Sequence, residues 1–278
     1  MREATFSIHG YSHAAVIDGD GPSILFVHGS VADYTTFKGL TRRFREAYQC
    51  VAYSRRFHPP NRPPGPGDVY DTEGQADEML TIIGELEASP VVLVGSSFGA
   101  YIGLIAALKE PESFRGLVLC EPPMIPLLLH HKDGRPLHEE FLRTVLEPAR
   151  LSFRNGQDAD GLKTFVEGVR GQPGWFDRLF PAMKSDLLRF GPELKLEFLT
   201  DHEKYMRDVP PKSLRSLRIP SLLLGGEFST PMFRAILDVL ENSLPQTLRK
   251  EIPRAGHLLH LQNPVVFESI LRDFLLGL

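Results

Sequence analysis

The chain has 278 residues, enough for one α/β core carrying one insertion. Hydrophobic residues make up 42% and charged residues 24%, proportions that exclude a disordered or fibrous chain. The formal charge of −4, from 31 basic and 35 acidic side chains, supplies no overall field for nucleic acid or an anionic membrane and leaves a small molecule as the expected partner.

The N-terminal MREATFSIHG has no apolar leader-like stretch, and no run of about 18 apolar residues occurs, so a soluble chain without a membrane span is expected. Cys50 and Cys120 are too few for a disulfide framework. Both read as buried, reduced thiols, which fits a cytoplasmic location.

In chain order, the first buried-strand pattern is ILFVH, 24–28, followed by Gly29-Ser30. CVAYS, 50–54, is the next, and RRFHPPNRPPGPG, 55–67, leaves it as a loop too rich in Pro and Gly for strand or helix. Arg55 and Arg56 there could meet a substrate carboxylate or form a structural ion pair. VVLVG, 91–95, is apolar without alternation and runs into a helical pattern through Ile102, Ile105, Ala106 and Leu108 that ends before Pro111. GLVLC, 116–120, closes in Glu121-Pro122-Pro123, and SLLLG, 221–225, is the next such run. Between them, 123–212 lacks strand patterning and carries charged amphipathic segments, so it reads as a helical cap inserted in a core of 1–122 and 213–278. TLRKEIP, then Arg254-Ala255-Gly256-His257, then a helix opened by Asn263-Pro264, complete the chain. Strand and helix alternate, which predicts a mostly parallel sheet flanked by helices.

At Gly95-Ser96-Ser97-Phe98-Gly99 a strand passes directly into a helix, and the glycines relieve the crowding of a sharp turn with Ser97 at its apex. Such a match arises by chance about 0.1 times in a chain this long, so its placement between strand and helix carries the weight. His257 falls on a loop at the same sheet edge. His130 and His131 are adjacent and do not share a helical face, so no metal site is expected, and no cofactor.

Strand-HG, strand-G-x-S-x-G-helix and the late A-G-H together resemble the α/β-hydrolase family over the core. The resemblance implies Ser97 as nucleophile, His257 as base and an oxyanion hole from the backbone N–H groups of Phe98 and Ser30. Where the family commonly carries its acid, Gly226-Glu227-Phe228-Ser229 offers serine, which cannot balance an imidazolium. Glu121, at the end of the preceding strand, is the first choice for that role, and Glu227 is the alternative.

The expected activity is hydrolysis of an ester, lactone or thioester by an acyl-enzyme route. Ile125, Leu127, Leu128, Trp175, Phe176, Leu179 and Phe180 suggest an oily cap lining suited to an uncharged substrate, or the packing of cap helices. The rival readings are a cofactor-free dioxygenase, a C–C hydrolase or lyase on the same frame, and a ligand-binding protein without turnover.

Overall fold

The computed structural model describes residues 1–86 and 90–278. Among these the chain forms β1 (Arg2–Ile8), β2 (Tyr11–Asp18), β3 (Ser23–Val27), β4 (Gln49–Tyr53), β5 (Val91–Ser96), β6 (Phe114–Cys120), β7 (Ser221–Gly226) and β8 (Thr247–Ile252). They make one sheet in the order β1-β2-β4-β3-β5-β6-β7-β8. β3 through β8 pair in parallel, and β1 and β2 add an antiparallel edge.

The parallel strands grow from the apolar runs. In β3, Leu25 and Val27 join one core layer while Ile24 and Phe26 join the other, so both faces are covered and no polar alternation is needed. The edge hairpin was not anticipated from the sequence. β1 alternates exposed with buried positions, as a strand with one wet face does, and turns on His9 and Gly10, both at positive φ.

The helices are α1 (Lys38–Phe44), α2 (Thr72–Glu85), α3 (Phe98–Lys109), α4 (Gly134–Phe141), α5 (Glu147–Arg154), α6 (Asp158–Arg170), α7 (Pro181–Leu188), α8 (Gly191–Leu199), α9 (His202–Tyr205), α10 (Pro211–Leu214), α11 (Pro231–Ser243), α12 (Leu259–Gln262) and α13 (Pro264–Leu276). α2, α3 and α11 lie on one face of the sheet, and α1 and α13 on the other. The seven helices α4 to α10 all fall between β6 and β7, and their apolar residues continue the core of the first face. Cys50 and Cys120 are buried and unbridged. Among the described residues no helix is long and apolar enough to cross a membrane.

Because β5, β6 and β7 are neighbours in register, their C-terminal tips end side by side. Ser97 N–H donates to Cys120 O at 2.8 Å and Glu121 N–H to Leu224 O at 3.2 Å, carrying the ladder one residue past each strand. That shared edge brings the serine, the glutamate and the β7 loop together.

Candidate active site

Ser97 stands between β5 and α3 at φ 52°, a left-handed conformation that strains a residue with a side chain. The turn tolerates no bulk beside it: a Cβ at Gly95 would lie 2.5 Å from Ala100 Cα, and one at Gly99 2.3 Å from Val27 O. Glu121 is held at φ 46° where β6 ends. Backbone strain of this kind costs about 1–3 kcal/mol per residue and persists where surrounding structure enforces it.

The buried Glu121 carboxylate uses both oxygens. Oε1 accepts the Gly226 N–H at 2.8 Å, and Oε2 lies 2.7 Å from His257 Nδ1. A carboxylate only accepts, so Nδ1 carries the proton of that bond. The imidazole also stacks on Phe233, centroids 4.4 Å apart and planes 15° from parallel. Its loop is tied down by Gln262 Oε1, which accepts from the N–H groups of Gly256 and Leu258 at 3.0 and 3.1 Å.

Glu227, the alternative acid, lies elsewhere. Its Oε2 accepts the Arg254 N–H at 2.7 Å, so it fastens the His257 loop through the main chain and does not touch the ring. Ser229 is buried, and its hydroxyl has no hydrogen-bond partner among the described residues.

The Gly29-Ser30 loop approaches Ser97 so closely that a Cβ on Gly29 would lie 2.8 Å from Ser97 Cβ. It is held from behind by Arg55, which is fully buried. The guanidinium donates to His28 O at 3.2 Å, Gly29 O at 3.1 Å and Gln75 Oε1 at 2.7 Å, and lies over the Phe98 ring. His28 Nδ1–H also donates to Gly29 O, while its Nε2 accepts the Arg55 N–H. In a trans peptide C=O and N–H point in opposite directions, so fixing Gly29 O inward turns the Ser30 N–H away from Arg55. Arg55 is therefore a structural cation, and Arg56 likewise, paired with Glu78 at 2.5 Å.

Two carboxyl groups that the sequence reading missed complete this cluster. Glu193 and Glu197, one turn apart on α8, are both buried. Ser30 Oγ lies 2.9 and 3.0 Å from the two Glu197 oxygens, and Glu193 Oε1 is 2.7 Å from His58 Nε2. Burial pushes Glu193 up to about 7. Burial and the neighbouring Glu193 charge also raise Glu197 well above the usual carboxyl range. Burial lowers His28 and His58 well below the usual imidazole value, and both are neutral. The only trace in the sequence is their i, i+4 spacing beside Leu194 and Phe198, a pattern that fits a solvated helix equally well.

One cavity of about 100 Å³ joins these parts, lined by Gly29, Ser30, Ser97 and His257 from the sheet edge and by Phe165, Val166, Val169, Arg170, Trp175 and Leu187 from the inserted helices. Of the apolar residues expected to line it, only Trp175 does so. Ile125, Leu127 and Leu128 are spent in the core, where they seat the insertion on the sheet, and Phe180 is 76% exposed.

The alpha/beta hydrolase family model matches residues 24–270, and the chain belongs to that family. It is 32% identical over 270 residues to a 2-(acetamidomethylene)succinate hydrolase of Mesorhizobium japonicum, covering 92% of this chain and 89% of the relative. It is 24% identical over 285 residues to the sn-1-specific diacylglycerol lipase ABHD11 of Mus musculus, covering 94% and 83%. Among solved structures, Est816, described as an N-acyl homoserine lactone degrading enzyme, superposes with a TM-score of 0.77 at 18% identity, covering 98% of this chain and all of that one.

Proposed function

We propose that this alpha/beta hydrolase is a serine enzyme that cleaves an ester, lactone or thioester of a small substrate through an acyl-enzyme. The observation that carries the reading is the run of contacts from the Gly226 N–H through both oxygens of Glu121 to His257 Nδ1, ending at a cavity that His257 shares with Ser97. In this mechanism Glu121 fixes the imidazole tautomer so that Nε2 is free to take the Ser97 proton. The serine oxygen attacks the substrate carbonyl. The carbonyl oxygen gathers negative charge and is met by the N–H groups of Phe98, at the positive end of α3, and of Ser30. His257 protonates the leaving oxygen or sulfur, then draws a proton from water as that water attacks the acyl-serine, and Ser97 is regenerated.

Residues 123–212 act as the cap that closes this site over a core of 1–122 and 213–278. The two buried free thiols fit a cytoplasmic setting.

The test is labelling with a fluorophosphonate, followed by peptide mapping. Modification of Ser97 that disappears in Ser97→Ala, with ester hydrolysis lowered about 10⁴-fold or more, supports the reading. An unlabelled protein that consumes oxygen with an aromatic substrate would replace it with proton-abstraction chemistry.

A further inference from the structure

Most cations near the site are satisfied. Arg55 is bonded through its Nε and both Nη groups, and Arg56 is paired with Glu78. Arg170, at the C-terminal end of α6, differs. It lines the cavity beside Ser97 and His257, and among the described residues its buried Nε has no hydrogen-bond partner. Its guanidinium carbon lies 4.0 Å from the centroid of the Trp175 ring. Among the described residues no carboxylate balances it: burial alone lowers its proton affinity. The nearest acid along its helix, Glu167, is turned to the Phe176 N–H at 2.9 Å.

A half-buried guanidinium without a counter-charge is costly to keep unless something completes it. Five N–H donors in one plane match the two oxygens of a carboxylate. The rest of that wall, Phe165, Val166, Val169 and Leu187, offers no competing acceptor side chain.

We propose that Arg170 binds a carboxylate on the substrate, so that the compound cleaved carries a second, anionic carboxyl group beyond the reacting carbonyl, as in a half-ester of a short dicarboxylic acid. This rests on the serine-hydrolase reading and narrows its substrate class, replacing the uncharged compound expected from the sequence. Trp175 and Arg170 form the recognition wall, and Ser97 the reacting one.

The experiment uses monoethyl succinate, glutarate and adipate, each against the ethyl ester in which a methyl group replaces the free carboxylate, at constant ionic strength. Wild type should favour at least one anionic member roughly tenfold or more in kcat/KM. Arg170→Met should abolish that preference through a raised KM for the anionic esters, with kcat/KM on the neutral ester falling by a smaller factor, and Arg170→Lys should restore part of the preference. Trp175 is the single tryptophan of the chain, so its fluorescence reports the same site without turnover. Titration with succinate, glutarate or adipate should give a saturable change in wild type that Arg170→Met lacks. Equal handling of charged and neutral esters, or a fluorescence response that survives in Arg170→Met, overturns the proposal while leaving Ser97-dependent hydrolysis intact. A fluorescence response without any Ser97-dependent hydrolysis would retain the carboxylate site and overturn the hydrolase reading.

Discussion

On the sheet side of the cavity, main chain does the positioning. Ser97 and Glu121 sit at strained φ values at the tips of adjacent parallel strands, and the ladder itself continues through their N–H groups. Among the described residues the helical side has no such non-glycine position at positive φ. Glu193, Glu197, Arg170 and Trp175 are single side chains on or beside helices, the two acids placed by what they touch on the sheet side and Arg170 and Trp175 by each other. A wall built from strand ends can be altered only by distorting the sheet, whereas a wall built from helix side chains changes by one substitution.

The largest effect should come from the sheet wall, where the two candidate acids lie. Glu121→Gln should lower kcat about 10³–10⁴-fold, because the amide cannot stabilise an imidazolium and can hold the wrong tautomer. Glu227→Gln, which keeps an acceptor for the Arg254 N–H, should stay within about tenfold of wild type on the same esters. A larger loss in Glu227→Gln than in Glu121→Gln would exchange their roles.

The oxyanion loop gives the next effect. Ser30→Pro removes the N–H assigned to the developing charge and should lower kcat about 10²–10³-fold, the usual consequence of losing one such donor. A folded Ser30→Pro protein with an unchanged rate removes Ser30 from the mechanism.

The helical wall can be probed through pH. Glu193 titrates near 7 when folded against an ordinary 4.5, so between those values the folded chain keeps a proton that the unfolded chain has released. Stability from this group is therefore complete below about pH 4.5 and falls as pH rises toward 7, by at most about 3 kcal/mol. His28, His58 and His260 are lowered by burial and act oppositely, adding stability as pH rises toward 6.5. The difference isolates Glu193: the Tm of Glu193→Gln relative to wild type should climb from pH 5 to pH 8. Parallel Tm curves would show that Glu193 is ionised throughout.

The smallest effect lies where the walls meet. The family resemblance implies a role for Ser30 through its backbone alone, yet its hydroxyl bonds Glu197. Ser30→Ala should cost about 1 kcal/mol in urea unfolding and lower kcat less than tenfold. An unaffected stability would mean that the hydroxyl bond contributes nothing.

This contrast also explains what could be read from the chain. Five of the six parallel strands were visible because burial on both faces leaves apolar runs without polar alternation, β8 being only strand-like as TLRKEIP, while the alternating β1–β2 hairpin carried only a period-2 pattern and a two-residue turn. Ser97, Glu121 and His257 were singled out because each follows a recognisable strand, and strand ends fix which sheet edge a residue occupies. Glu193 and Glu197 were not, because GPELKLEFL also fits a solvated helix, and only packing across the loop shows that the acids face inward. Arg55 was noticed for its charge, but its partners lie near in space rather than in sequence.

One asymmetry within the insertion bears on which part of the wall yields. α8 is held by buried polar contacts to Ser30 and His58, whereas α7 beside it buries none of its side chains and reaches the cavity through Leu187. Detaching α8 would strand several polar groups at once, while displacing α7 exposes little. The α7 flank is thus the part of the cavity wall that gives way at least cost, while the segment bearing Ser30 stays anchored by α8.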